Sequence, residues 1–270
     1  MTGDAFEDAL YRQPRLGLSV DLARRAGRMA LDQFERAPVS WKTDGTMVTT
    51  TDLEIQAMLK EQLLSVFPDD DVLGEEEPNA VLADAKCCWI LDPIDGTANF
   101  GRGIPGFAIS IGLLEAGQPK AGAVYDPLAD QLFAGLTGWG AWLNGRRLRL
   151  DSAELSSRSM CAIRTPFTKR VPAFVQEWLC RYRLRRIGST ALTLCYVASG
   201  ALAFAYDHRA SLWDIAGAVP VLVEAGGIIT SPAGLDLFPM SAAARSRAVD
   251  FLAGDPFAHD RGLADIRELG

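Results

Sequence analysis

Histidine is nearly absent from this 270-residue chain, with His208 and His259 the only two. So thin a supply leaves no zinc cluster and disfavours a histidine-based nucleophilic triad, so carboxylates must carry any chemistry. Cysteine is also sparse. Cys87, Cys88, Cys161, Cys180 and Cys195 make an odd number without CxxC spacing and read as reduced core thiols. Basic charge is in deficit, with 27 Lys and Arg against 34 Asp and Glu, a net charge of −7 and a pI near 5.0. Nucleic acid and anionic membrane are therefore not expected partners. A membrane-spanning run is missing too. The longest charge-free stretch, Gly188 to Tyr206, is interrupted by Ser189, Thr190, Thr193, Ser199 and Gly200, and reads as a buried helix followed by a buried strand. The opening MTGDAFEDAL carries Asp4, Glu7 and Asp8 and no basic region before an apolar core, which is not a secretory pattern, so a cytoplasmic location is expected.

What remains is an ordinary globular composition, 49% hydrophobic and 23% charged, sufficient for one large domain or two closely packed halves. Leu18, Leu22, Ala26, Met29, Ala30 and Phe34 form one stripe of a long helix over Leu16 to Phe34. A second helix is expected over Leu53 to Val66, stopped by Pro68 and the acids Asp69 to Asp71. From Asp71 to Trp142 short strands with turn signals predict a largely antiparallel sheet (VLG, CCWILD, FAISIGLL, AGAVYD, QLFAGL, GAWL). Beyond Asp151 strands (160–163, 183–187, 201–206, 227–230, 248–253) alternate with helices (171–180, 190–198, 213–225), which is α/β order. The expected class is thus α/β, with an α+β half over 1–150 and an α/β half over 151–270, packed as one compact unit with a cleft between them.

The most informative segment is Trp89 to Phe100, WILDPIDGTANF. An apolar run reads as a buried strand and Pro93 stops its ladder, so Asp92 and Asp95 stand at a strand end. Gly96 and Thr97 open a short helix whose unpaired N–H groups suit a phosphate oxygen. Carboxylates beside a phosphate repel it unless cations intervene, and hard oxygen donors imply Mg2+ rather than zinc. Three further acids end apolar or strand-like segments: Asp52 in TTTD, Glu75 in LGEEE and Asp214 in LWDIAG. Taken singly each has a plain structural explanation. Asp214 suits a helix cap, Glu75 to Glu77 a solvated turn, and Asp92 with Asp95 an Asx turn. Their coincidence in one chain is what points to a site.

With VTTTD (Val48 to Asp52), GEE (Gly74 to Glu76), DPIDGTANF (Asp92 to Phe100) and WDIAGAVPVLVEAGG (Trp213 to Gly227) in this order, the sequence resembles the inositol monophosphatase family over nearly its whole length. That family comprises Mg2+-dependent, lithium-sensitive sugar phosphatases. The resemblance implies a layered αβαβα sandwich, a homodimer, and two or three Mg2+ ions per site. By it, Glu75, Asp92 and the Ile94 carbonyl would hold one metal, while Asp92, Asp95 and Asp214 hold a second. A third, weaker site would use Glu75 and waters, with Lys42 as a possible recruiter or a plain surface lysine. Metal ions neutralise the phosphate and activate water, the two-metal logic of in-line displacement. Asp52 and Thr97 would orient that water, Glu75 would help take its proton, and the N–H groups of Gly96 and Thr97 would hold the phosphate.

Gly188, Ser189, Thr190 and Asp207 match the family's stretches that meet the alcohol, as does Asp95. Asp207 stands where inositol-selective relatives usually carry Glu, one methylene longer. The expected activity is hydrolysis of inositol monophosphate or a related small alcohol phosphate. Histidinol phosphate (suggested by the Pro220 context), fructose 1,6-bisphosphate and adenosine 3',5'-bisphosphate are the alternatives within the superfamily, and FAISIGL at 107–113 looks more like the inositol branch. Arg181, Arg183, Arg185 and Arg186 form a basic patch that either holds a second anionic group or is a solvated edge. Cys180 to Arg186 fits a C-x5-R phosphatase spacing but fills it with bulky residues where a phosphate cradle needs small ones. Asp92 and Asp95 are one residue too far apart for a haloacid-dehalogenase motif. A non-catalytic, phosphatase-like interaction protein is the alternative of another class, and its signature, a lost metal ligand, is missing here.

Overall fold

The computed structural model describes residues 4–36, 38–41, 47–77, 86–240 and 248–269. Lys42 lies outside them. The chain opens with helices α1 (Asp4–Arg12) and α2 (Pro14–Gln33), then the two-stranded β1 (Val39–Trp41) and β2 (Met47–Thr49), then helix α3 (Thr50–Val66). Strands β3 (Asp71–Gly74) and β4 (Cys87–Asp95) follow, a single turn α4 (Thr97–Phe100), and strands β5 (Ala108–Glu115), β6 (Gln118–Asp126), β7 (Gln131–Leu136), β8 (Gly140–Leu143) and β9 (Arg146–Arg147). These build a seven-stranded sheet in sequence order, parallel between β3 and β4 and antiparallel elsewhere.

Next come β10 (Met160–Ile163), α5 (Ala173–Arg181), β11 (Arg183–Arg185), α6 (Thr190–Ala198), β12 (Phe204–Ala210), α7 (Leu212–Ala216), α8 (Val219–Ala225), β13 (Ile228–Thr230), β14 (Val249–Gly254) and α9 (Pro256–Leu269). Their five-stranded sheet runs β11-β10-β12-β14-β13, parallel on the β11 side and antiparallel where β14 joins. The fold is a mixed α/β sandwich of five layers. Helices α1 to α3 cover one face of the larger sheet, α6 to α8 fill the space between the sheets, and α5 with α9 cover the far face of the smaller one. Strand β4 is buried on both faces, sending Trp89 and Leu91 to the α2–α3 side and Ile90 to the α6–α8 side, which is why it reads as an unbroken apolar run.

Several elements depart from expectation. Helix α1 precedes the expected first helix, Pro14 opening a new one behind it, and α9 was not expected. The helix expected over 213–225 is two helices, with Gly217 and Ala218 between them and Pro220 in the first turn of α8. Leu53 and Val66 face solvent, because the buried stripe of α3 is Ile55, Leu59 and Leu63 at spacing four. Cys180 is exposed rather than in the core, since α5 turns Phe174, Val175 and Trp178 inward. Arg181 ends α5 and pairs with Glu177 and Asp265, so it does not share a strand face with Arg183 and Arg185. Helix α6 and strand β12 resolve the charge-free stretch, and among the described residues no helix is long and apolar enough to cross a membrane.

One row of glycines sets the distance between the layers. Gly112, Gly122 and Gly135 are cross-strand partners on β5, β6 and β7. A Cβ at Gly112 would stand 2.5 Å from the Ala216 carbonyl carbon, and those at Gly122 and Gly135 would overlap the backbone of Gly217 and Val221. Side chains here would lift α7 and α8, and with them Asp214, off the sheet that carries Asp92. Gly122→Ala is expected to destabilise the protein by roughly 2–3 kcal/mol through overpacking. Urea unfolding checks this, and an unchanged midpoint would contradict the packing argument.

Candidate active site

The site begins where β4 loses register with β5, between Asp92 and Asp95. The strand runs on to Asp95 rather than ending before Pro93, but Pro93 has no N–H for the ladder and the next N–H, of Ile94, turns back to Asp92 Oδ1 at 3.1 Å. Gly96 then adopts φ +99°, and a Cβ there would lie 2.9 Å from the Gly106 carbonyl oxygen. That left-handed turn starts α4, whose leading N–H groups lack intrahelical partners. A four-residue helix has little dipole to offer, so an anion here would depend on N–H groups alone.

Helix α3 contributes from behind. Asp52, fully buried, closes a capping box by accepting from Thr49 N at 2.8 Å and Thr49 Oγ1 at 2.5 Å. Its other oxygen faces Thr97 Oγ1 at 3.3 Å, and the same hydroxyl lies 3.0 Å from the Ile94 carbonyl. The single Thr97 proton is thus committed to the wall, leaving oxygen lone pairs for the cleft.

The second sheet and its helices supply the opposite wall. Asp95 Oδ2 accepts from Ser189 Oγ and Ala191 N, each at 2.6 Å, and Oδ1 from Thr190 N at 3.3 Å, so the start of α6 is docked onto β4 by a carboxylate. Ser189 also caps α6 through Leu192 N. At the start of α7, Asp214 Oδ2 accepts from Ser211 N at 3.0 Å and from Arg164 Nη1 at 3.2 Å. Asn99 clamps the seam by donating to the carbonyls of Gly106 at 2.7 Å and Ile187 at 3.0 Å.

Between these walls lies a cleft of about 320 Å³, lined by Glu75, Asp92, Asp95, Gly96, Thr97, Gly188, Ser189, Thr190, Asp207 and Asp214 among others. One oxygen from each of Asp92, Asp95 and Asp214 lies within 4.8 Å of the others. Burial raises the pKa of all three. Asp92 goes well above the usual carboxylate range, first through burial and then through Glu75, Asp95 and Asp214. Asp95 is pushed up to about 7 by burial and Asp214, against the lowering effect of its Ser189 and α6 hydrogen bonds. Crowded, dehydrated carboxylates presenting only hard oxygens fit divalent cations, which would relieve both burial and repulsion.

The sequence-derived residues are thus largely brought together. Asp52 and Ile94 are the exceptions, since neither lines the cleft. Asp52 faces the cleft residue Thr97 through its second oxygen, and the Ile94 carbonyl accepts that hydroxyl as well. Sequence reasoning missed Arg164, which ties Asp214 to Asp207, and Asn99. Arg164 carries no local signal, because its partners are 43 and 50 residues away.

The chain is thus a five-layer α/β sandwich with an acidic cleft between its two sheets. The model of the inositol monophosphatase family matches residues 12–267. Inositol monophosphatase 1 of Solanum lycopersicum is 36% identical over 232 residues, 81% of this chain and 85% of its own. The fructose-1,6-bisphosphatase/inositol-1-monophosphatase of Thermotoga maritima is 31% identical over 259 residues, 94% and 96% of the two chains. The crystal structure of the extragenic suppressor protein SuhB from Bartonella henselae superposes with a TM-score of 0.85 at 27% identity, covering 95% of this chain and 99% of that one. The chain belongs to the inositol monophosphatase family.

The carboxylate cluster fixes a pH response. Groups whose pKa is raised on folding hold extra protons in the folded state between the unfolded value, about 4, and the folded one, about 7 for Asp95. Their contribution to stability is therefore lost as pH rises through that window. Without metal, the Tm should fall as pH rises from about 5 to 8, and Asp92→Asn, which keeps the Ile94 hydrogen bond and removes one acid from the cluster, should fall less and stand above the parent at the alkaline end. Differential scanning fluorimetry in EDTA tests this, and a lower Tm would contradict the electrostatic reading.

Proposed function

We propose that the protein is a Mg2+-dependent phosphomonoesterase that hydrolyses inositol monophosphate or a related small alcohol phosphate with water as nucleophile. The convergence of Asp92, Asp95 and Asp214 beside Thr97 in one cleft carries this reading. Asp92, Asp95, Asp214 and Glu75 would hold two or three Mg2+ ions, with the Ile94 carbonyl as a further ligand. Bound Mg2+ neutralises phosphate charge and lowers the pKa of water.

The chain's own residues do the rest. The Thr97 hydroxyl, its proton held by Asp52 and Ile94, presents lone pairs that accept a hydrogen bond from the attacking water and point its oxygen at phosphorus. Asp52 is a positioning residue, acting through Thr97. Glu75, on the cleft wall, takes the water's proton as the new P–O bond forms. The N–H groups of Gly96 and Thr97 hold phosphate oxygens. The P–O bond to the alcohol breaks with its electron pair on the leaving oxygen, which takes a proton from solvent water, and no phosphoenzyme forms. Asp95, Gly188, Ser189, Thr190 and Asp207 border the alcohol. The Thermotoga maritima relative, by name also a fructose-1,6-bisphosphatase, keeps bisphosphates among the candidate substrates. Lithium sensitivity and a homodimer accompany this reading by family, beside the expected cytoplasmic location.

Phosphate release from inositol 1-phosphate is expected with Mg2+ and not with EDTA. Release unaffected by EDTA would overturn the metal assignment. Asp95→Asn should cut kcat/KM on the order of 100-fold while circular dichroism stays that of the parent. A variant turning over near the parent rate would remove Asp95 from the machinery.

A further inference from the structure

Arg164 and Arg186 both line the cleft, on the side where Asp207 stands. Arg164 leaves β10 at its end and lines the cleft with its side chain 33% exposed. Its Nη1 lies 3.2 Å from Asp214 Oδ2 and 3.4 Å from Asp207 Oδ2, and its hydrogen bonds run through that nitrogen alone. The donors on Nε and Nη2 are unengaged among the described residues, and a guanidinium offers five N–H groups in a fork that matches a carboxylate or phosphate. Strand β11 runs parallel to β10 with Ala162 opposite Arg185, so the residues that follow the two strands leave at the same sheet end, and Arg186 also lines the cleft.

Asp207, the acid best placed to receive a substrate hydroxyl, is already engaged. Its Oδ2 faces Thr190 Oγ1 at 3.2 Å as well as Arg164, and its Oδ1 accepts from Arg209 N at 3.0 Å. A carboxylate so satisfied gains little from a sugar hydroxyl, whereas the open edge of Arg164 gains much from an anion.

We infer that Arg164 is a specificity-determining residue that, with Arg186 on the same cleft lining, binds a second anionic group on the alcohol moiety, a phosphate or a carboxylate. The cleft then selects acidic phosphate esters over neutral polyol phosphates. The inference rests on the phosphatase reading and names the substrate class of that site.

The test compares kcat and KM for phosphate release at saturating Mg2+ from inositol 1-phosphate, fructose 1,6-bisphosphate and 3-phosphoglycerate. The latter two separate a second phosphate from a carboxylate. The parent should favour at least one acidic ester about tenfold or more in kcat/KM. Arg164→Gln should lower that preference about tenfold through KM for the acidic ester, with Arg164→Lys retaining part of it. A parent that prefers inositol 1-phosphate would overturn the inference, as would an Arg164→Gln variant that loses kcat equally on all esters, the mark of a mere counter-ion to Asp207 and Asp214. If Arg164→Gln does not fold, the exposed Arg186→Gln puts the same question, and an unchanged preference there overturns the inference. Phosphate released from none of the three would instead sink the phosphatase reading itself.

Discussion

Mutual repulsion among buried carboxylates is the constraint around which this molecule is arranged. Asp92, Asp95 and Asp214 come from β4 and α7, elements more than a hundred residues apart, and they meet at oxygen separations within 4.8 Å. Nothing about three dehydrated acids favours that meeting. The fold enforces it with directed donors: Ile94 N on Asp92, Ser189 and two α6 backbone N–H groups on Asp95, Ser211 N and Arg164 on Asp214. Each donor belongs to an element end, so the same hydrogen bonds that hold the acids also fix where the helices start.

Close packing supplies the rest of the enforcement. The glycine row across β5, β6 and β7 lets the backbone of α7 and α8 settle onto the sheet, and Asn99 stitches the loop before β5 to the segment before α6. These contacts explain why the cleft sits at the seam of two sheets. Its floor is the irregular end of β4, and its walls are helix starts from the other half. Function is thereby placed at strand ends and first turns, where side chains and N–H groups are not consumed by ladders.

Much of this was legible in the amino acids because local chemistry dictated it. The apolar run Cys87 to Leu91 read as a short buried strand, Pro93 had to disturb the ladder, and apolar Leu53, Ile55, Leu59, Leu63 and Val66 marked a helix, of which Ile55, Leu59 and Leu63 form the buried face. Helix α6 was bounded correctly because Ser189 caps it and Gly200 follows it. Elements whose form depends on distant partners were not legible. The split of 213–225 reflects α7 and α8 each fitting the glycine row, and Leu53 reads as apolar while facing water. Arg164 was invisible because its meaning lies wholly in Asp207 and Asp214, which no local pattern joins to it. Asp52 shows the intermediate case. Its motif was visible, but that it stands behind Thr97 rather than in the cleft required the fold.

The account turns on whether those three carboxylates share cations in the working protein. Diffraction from crystals grown with Mn2+ in place of Mg2+, recorded at the manganese edge, tests this directly. Anomalous density should appear between Asp92, Asp95 and Asp214, touching Oδ atoms of all three. Density confined to other surfaces, with the cluster holding no metal at saturating Mn2+, would contradict it.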